Sequence, residues 1–422
     1  MDRDDRVRNK SRSLAGSFAA RTLTSSSAWA PLQNPLYRAF WFASLASNLG
    51  TWIHEVGAGW LMASLDPSPE MVAAVRTVMA APIIFLAIPV GVLGDRIDRR
   101  RMLIGTQFVL CACTATLASL TFSGMITAKL LLVFTFVIGL GMVVHVPIWQ
   151  ASIPELVPKN QLARAVALGS ISFNLARAVG PALGGILIAM AGVWTAFAIN
   201  ALSFAGVLTV LLSWKRARRE SSRGLSFRLS MYQGLRYVAK TVAMRHTILG
   251  VVLFVLPGSA LWSLLPLVAK QHLGWGASGF GFLVGCVGVG AVFAAWTLPH
   301  FQRRRGADQT IAIAMVGFAI GLATLANTTE TFIVCAATLL MGATWMMTLT
   351  TFNSTAQMTL PARMRARGMG CYLTAMAFSM TTGSILWGQI AEASSISMAQ
   401  TTAAAIMTIT AAVSLLFRVG DT

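Results

Sequence analysis

Charged side chains set into oily sequence are the residues best placed to do chemistry in this chain. Asn48, Trp52, Glu55 and Gly59 follow one another at steps of four, three and four, which lines them along one face of a helix. A carboxylate in an apolar cavity favours its neutral form, and beside an arginine it favours its charged form, so its protonation can follow conformation. Glu55 is therefore the first candidate for carrying a proton. Arg76 and Arg177 are its candidate partners, and a static Glu55–Arg76 ion pair is the plainer reading of the same residues. Arg177 falls about 18 Å into an apolar segment, near the middle of a membrane if that segment crosses one. It could bind an anionic group of a ligand, counter Glu55, or be held by Asn174 or backbone carbonyls. Ionisable residues inside a bilayer are costly, which makes all of these functional candidates by default. His145 reads as a packing histidine.

The elements that position these residues follow from composition. The 422 residues are 56% hydrophobic and 11% charged, where a soluble protein carries about 25% charged residues. Twelve apolar segments can be counted, near 38–62, 71–94, 102–122, 129–149, 165–190, 195–214, 247–269, 278–299, 309–326, 332–352, 368–391 and 398–417. Each suits a span of roughly 20 residues. Backbone in lipid must satisfy its own hydrogen bonds, so these are helices. The short alternating segments of a membrane β-barrel are absent. The expected fold is an all-α polytopic membrane protein of twelve transmembrane helices.

A net charge of +19 raises the question of nucleic acid. The basic residues instead concentrate in alternate connections, above all 1–38, 96–101 and 215–245. That distribution places both termini in the cytoplasm by the positive-inside rule, and makes anionic lipid headgroups the partner of the excess charge. Residues 1–37 read as a cytoplasmic tail, 38–214 as a first six-helix bundle, 215–246 as a linker with an amphipathic surface helix, and 247–418 as a second bundle. A shift of 203 residues puts Pro158 on Pro361, Arg164 on Arg367, Gly180 on Gly383 and Gly185 on Gly388, so the halves look duplicated and pseudo-symmetric. Cys111, Cys113, Cys286, Cys335 and Cys371 sit in apolar segments and read as buried small hydrophobes; neither a metal site nor a cofactor is implied.

Two stretches carry a family resemblance. Gly91-Val92-Leu93-Gly94-Asp95-Arg96-Ile97-Asp98-Arg99-Arg100-Arg101 resembles the loop signature between helices 2 and 3 of the major facilitator superfamily, with Asp98 standing where the signature has its second glycine. Asp95 lies at a helix C-terminus, which repels negative charge, so it needs an outside partner. The repeat suggests that this partner is the start of the eleventh helix, near Arg367, and that Glu155 meets Arg303, Arg304 or Arg305 in turn. With Gly91, Arg96 and Arg100 these form an expected cytoplasmic gate. Gly180-Pro181-Ala182-Leu183-Gly184-Gly185 supplies small residues for close helix approach. It also resembles the fifth-helix pattern of major facilitator antiporters, which export substrate against protons. Together with Ser47–Trp52, Pro154–Pro158 and Ser172–Pro181, these stretches are similar to the bacterial transmembrane secretion effector branch, which includes enterobactin and macrolide exporters.

What the resemblance implies is a monomeric secondary transporter of the bacterial inner membrane, working by rocking of two bundles. It would export a hydrophobic or amphipathic small molecule such as a drug or siderophore against protons. Alternatives are a facilitator or importer of the same fold, or a membrane sensor or scaffold that does not transport. An enzyme would need clustered His, Asp or Glu near one membrane face, and the five histidines are scattered. No nucleotide-binding G-x-x-x-x-G-K-[ST] loop is present. The expected cavity walls are Trp52, Trp262, Trp345, Tyr372 and Met376, with flexible methionines among the 21 present suiting a permissive pocket.

Overall fold

The structure is a computed structural model and describes residues 28–93, 98–214, 235–361 and 364–417. Most of the expected surface helix in 215–246, and the residues Asp95 and Arg96, lie outside the described residues. Among those described, every long regular element is a helix. They are α1 (Pro35–Leu65), α2 (Pro69–Leu93), α3 (Arg99–Phe122), α4 (Ala128–Leu156), α5 (Leu162–Ala191), α6 (Trp194–Ser213) and α7 (Val242–Leu267). The run Ala277–Asn327 follows, then α10 (Thr331–Thr359), α11 (Arg365–Ala393) and α12 (Ile396–Ser414).

The run Ala277–Asn327 is two helices. Gly306 breaks it with φ +72° and ψ 176°, a conformation open to glycine. Its arms, α8 (277–305) and α9 (307–327), fold back on each other: Gly290 in one and Gly321 in the other both abut the 337–343 stretch of α10. In one straight helix these two glycines would stand about 45 Å apart.

Among the described residues, nine helical runs, Ala277–Asn327 counted once, are long and apolar enough to cross a membrane. Neither α1 nor α11 is among them, although their 31 and 29 residues suffice in length. What lowers their hydropathy is Ser44, Ser47, Asn48, Thr51, His54 and Glu55 in α1, and Thr374, Ser379, Thr381, Thr382 and Ser384 in α11. Both helices run along the seam between the halves, where polar side chains avoid lipid.

The duplicated glycines do matching work at that seam. A β-carbon on Gly185 of α5 would stand 2.8 Å from the Ala277 carbonyl oxygen and 2.9 Å from Gly281 Cα of α8. Its counterpart Gly388 of α11 meets Ala73 Cβ at 2.9 Å and the Pro69 carbonyl at 3.2 Å on α2. Gly180 is backed by Trp52 of α1, and its counterpart Gly383 by Ser259 and Leu256 of α7. Each half thus uses one glycine to pack its own first helix and another to approach the opposite half. Close backbone approach of this kind is what small residues permit in membrane helices.

The seam is closed on the face that carries the hairpin loops 66–68 and 273–276, called distal here. There Lys270 Nζ donates to the Ala63 carbonyl at 2.6 Å, Gln271 Nε2 donates to the Pro67 carbonyl at 3.2 Å, and Trp60 stacks on Phe280 with centroids 6.3 Å apart. One apolar core joins the second half to Ile53, Val56, Ile188 and Ala196 of the first. Toward the opposite, terminal face, the first half keeps a separate core around Phe40, Leu103, Ile148, Leu168 and Trp214. That end is tied internally: Tyr37 Oη donates to the Ala165 carbonyl, Trp41 Nε1 to Leu168, and Asn34 Nδ2 to Leu156. Among the described contacts, the side-chain hydrogen bonds across the seam lie at the distal face.

Gly281→Ala would put a β-carbon 2.5 Å from the Pro181 carbonyl oxygen and 2.7 Å from Gly185 Cα, with backbone on both sides. The expected cost is about 1–3 kcal/mol, read as a lower thermal midpoint of the purified protein. Gly169→Ala, with nothing within 4 Å of its β-carbon, should leave the midpoint unchanged or raise it.

Candidate functional site

The charges predicted from sequence come together where α1, α2, α5 and α7 converge. Arg76 Nη1 of α2 donates to Glu55 Oε2 of α1 at 2.7 Å, with the two side chains 21% and 22% exposed. On its other side Arg76 lies over the ring of Trp262, with Cζ 5.6 Å from the centroid. Trp262 belongs to α7, so Arg76 touches a carboxylate of one half and an aromatic face of the other. Trp262 in turn packs edge-on against Trp345, centroids 5.6 Å apart.

Arg177 stands one helix away. Its Cζ is 5.7 Å from the centroid of Trp52, one turn before Glu55 on α1, and Phe173 packs on the same indole at 6.3 Å. Arg177 is about 22 Å from the start of α5 and 21 Å from its end, in the middle of the helix. No described hydrogen bond joins Asn174 to it; Asn174 Nδ2 donates to the Ser170 carbonyl of its own helix at 2.9 Å. Asn48 Nδ2 ties α1 to α5 through Ser172 Oγ at 3.3 Å. Gly59 completes the stripe on α1, where its missing side chain admits Pro266 and Phe280.

The geometry is that of a seam between two helical halves, with a half-buried ion pair and aromatic faces along it. Residues 26–422 match the transmembrane secretion effector family. The chain belongs to this family of the major facilitator superfamily. It is 24% identical over 291 residues to the staphyloferrin A transporter of Staphylococcus aureus, covering 67% of this chain and 72% of that protein. It is 25% identical over 189 residues to macrolide efflux protein A of Enterococcus faecalis, covering 43% of this chain and 58% of that protein. In fold it is similar to a variant of the nucleoside transporter NupG, with a TM-score of 0.74 at 12% identity over 90% of this chain and 99% of that one. The protein is thus a multi-pass membrane transporter and not an enzyme.

Within this secretion effector several residues serve differently from the sequence expectation. Arg100 reaches the end of α6, where its Nε donates to the Leu211 carbonyl at 3.0 Å and its Nη2 to the Leu212 carbonyl at 2.9 Å. A cation on these last carbonyls suits the negative end of a helix. Glu155 pairs with Arg99 at 3.0 Å, and the same Arg99 nitrogen donates to the Ala151 carbonyl at 2.7 Å, so this contact stays inside the first half. Trp345 and Tyr372, expected on the cavity wall, are buried at 8% and 1% exposure in the core of the second half. Periodicity marks an apolar face but not which of two neighbours it meets. His145 packs on Trp149 and shares a hydrogen bond with Gln107 at 3.1 Å, as a packing histidine would.

Lys270 is the functional residue that sequence reasoning passed over. It lies in the π-helical turn Val268–His272 that extends α7, over the Trp60 ring at 5.8 Å, with its ammonium on the last turn of α1. A lone lysine at the end of an apolar run gives no signal of such a reach.

The Glu55–Arg76 coupling is measurable. Arg76→Met leaves a carboxylate in the seam with its partner removed, and should destabilise the protein more than the Glu55→Gln/Arg76→Met double variant does. The double-mutant cycle on thermal or denaturant unfolding is expected to return about 1–3 kcal/mol; additivity of the single changes would mean that the pair contributes nothing.

Proposed function

We propose that this secretion effector exports a hydrophobic or amphipathic small molecule, of the drug or siderophore kind, in exchange for protons. It would work as a monomer in the bacterial inner membrane. The observation that carries the reading is the Glu55–Arg76 pair at the seam, with Arg76 also resting on Trp262 of the opposite half. Protonating Glu55 removes its charge and ends the charge-assisted bond at 2.7 Å. Arg76 is then released from α1 at the place where the two halves touch. A proton arriving when the seam opens distally, and leaving when it opens to the terminal face, would drive the halves between these two states. The efflux protein and siderophore transporter among the relatives support a small-molecule cargo.

Sidedness follows from charge. The connections on the terminal face are the Lys- and Arg-rich ones, which the positive-inside rule assigns to the cytoplasm. Anionic headgroups of that leaflet would attract the same residues. A seam open toward that face would then admit substrate from the cytoplasm. In the opposite state the cytoplasmic ends would close, with Gly91, Asp95, Arg96 and Arg100 facing the Arg367 end of α11, and Glu155 exchanging Arg99 for the 303–305 arginines. On α5, the Pro181–Gly185 face against Ala277 and Gly281 of α8 would be the surface on which the halves rock, while Gly180 and Gly184 seat α1.

The test uses inside-out vesicles with an imposed pH gradient and a panel of amphipathic fluorescent dyes. Wild type should accumulate at least one dye only when the gradient is present, and Glu55→Gln should lower that accumulation by about tenfold or more, the loss of one charge-assisted bond. Uptake that is the same with and without the gradient would overturn proton coupling, and a Glu55→Gln variant that keeps gradient-driven uptake would remove Glu55 from it.

A further inference from the structure

Arg177 is the charge that the proton-coupling account leaves over. Two guanidinium groups, Arg76 and Arg177, face one carboxylate at the seam, and that carboxylate is bonded to Arg76 at 2.7 Å. Glu55 is near enough to act on Arg177 electrostatically, but no described residue forms an ion pair with it. Arg177 Nε is buried with no hydrogen-bond partner. Neither neighbouring amide accepts a hydrogen bond from it among the described contacts: Asn174 Nδ2 donates to the Ser170 carbonyl and Asn48 Nδ2 to Ser44 and Ser172. An arginine in the middle of a membrane helix with its donors unused is expensive, and such a cost persists where something outside the chain completes the site.

The way Arg177 is held says what would complete it. The ring of Trp52 supports the guanidinium by a cation–π contact at 5.7 Å, and Phe173 steadies the ring from the side at 6.3 Å. A planar cation presents its N–H groups at its edge, in a fork that matches two oxygens of a carboxylate. Phe173 is 46% exposed beside it, so an apolar body can lie along Trp52 and Phe173 while an acidic head meets the arginine. The charge count in the middle of the seam agrees: the Glu55–Arg76 pair is neutral and Arg177 adds a positive charge, while Lys270 lies at the distal end on the Ala63 carbonyl.

We propose that Arg177 and Trp52 form a subsite for an oxyanion, so that the transported molecules are amphipathic organic acids, with a carboxylate on Arg177 and an apolar portion against Trp52 and Phe173. The proposal rests on reading this seam as the substrate site, and narrows it from hydrophobic molecules in general to anions. Binding needs no gradient, so it can be measured apart from transport.

The experiment is titration calorimetry on the full-length purified protein with two probes that share one aromatic body, naphthylacetate and naphthylmethylammonium. Naphthylacetate should bind about tenfold or more tightly than the ammonium, the scale of one charge-assisted hydrogen-bonded pair. Arg177→Met should abolish this preference. Arg177→Lys keeps the charge without the planar fork and should weaken naphthylacetate binding about three- to tenfold with the thermal midpoint unchanged. Equal binding of the two probes, binding of neither, tighter binding of the ammonium, or naphthylacetate affinity unchanged in Arg177→Lys would each overturn the proposal. Naphthylacetate binding that depends on Arg177, in a protein whose vesicle uptake ignores the pH gradient, would leave the oxyanion subsite standing and remove the proton coupling. Gradient-driven uptake of cationic dyes that Arg177→Lys leaves intact would do the reverse.

Discussion

A charge held inside a membrane protein must be paired, hydrated or bound, and among the described residues the middle of the seam holds three charges, Glu55, Arg76 and Arg177, with one ion pair between them. Glu55 satisfies Arg76 at 2.7 Å and leaves Arg177 resting on an aromatic face. Everything near the seam is arranged around that imbalance. α1 contributes the carboxylate and the indole one turn apart, α2 and α5 each contribute an arginine, and α7 contributes the indole against which Arg76 leans. α1 and α11 are the least apolar of the long described helices: Glu55 of α1 faces the seam, while His54 packs on Phe197 of α6 inside the first half.

The glycines let the halves come close enough for these charges to share one site. Gly185 and Gly281 place the backbones of α5 and α8 in contact, and Gly388 does the same for α11 on α2. Contacts of this kind involve little side chain, so one surface can roll on the other without extracting long groups from pockets. The terminal end of the first half behaves in the opposite way. Tyr37, Trp41, Asn34, Arg99 and Arg100 spend their hydrogen bonds on carbonyls of that same half. A half braced internally and joined to its partner by smooth contacts is suited to move as one body.

Much of this was legible in the sequence. Hydropathy alone located twelve segments, because the bilayer imposes both length and composition on each. The 203-residue repeat located Gly180, Gly185, Gly383 and Gly388, whose partners proved to be equivalent helices of the two halves. The charges on α1, α2 and α5 stood out because lipid tolerates so few. Other features depend on distances that one chain pattern does not contain. Arg100 and Glu155 matched an expected gate by type and position, and among the contacts described Arg100 also meets the α6 carbonyls and Glu155 also meets Arg99, which the pattern did not foretell. Trp345 and Tyr372 looked like cavity residues because they are aromatic and central, whereas the second half buries them against Phe254, Phe318 and its own helices. Lys270 was passed over because its partner is a backbone carbonyl, which every residue has.

The energetics limit what a proton at Glu55 can accomplish alone. A hydrogen bond to a charged group is worth about 1.5–3 kcal/mol net, whereas turning a 1:99 population of two states into 99:1 takes about 5.5 kcal/mol. If the proposed cycle keeps the Glu55–Arg76 bond in only one of its two states, breaking it would shift their balance by about 10- to 100-fold, short of a full switch. The remainder must come from another ligand that differs in affinity between the two states. Arg177 is in the right place for that second contribution, on the same stretch of α1 as Glu55 and on the α5 surface that meets α8: the Arg177 carbonyl itself lies where a β-carbon on Gly288 would come within 2.5 Å. A ligand pulling on Arg177 and a proton acting on Glu55 would thus work on one joint from two sides. In that arrangement neither acts fully without the other, and this mutual insufficiency is what couples two fluxes in a secondary transporter.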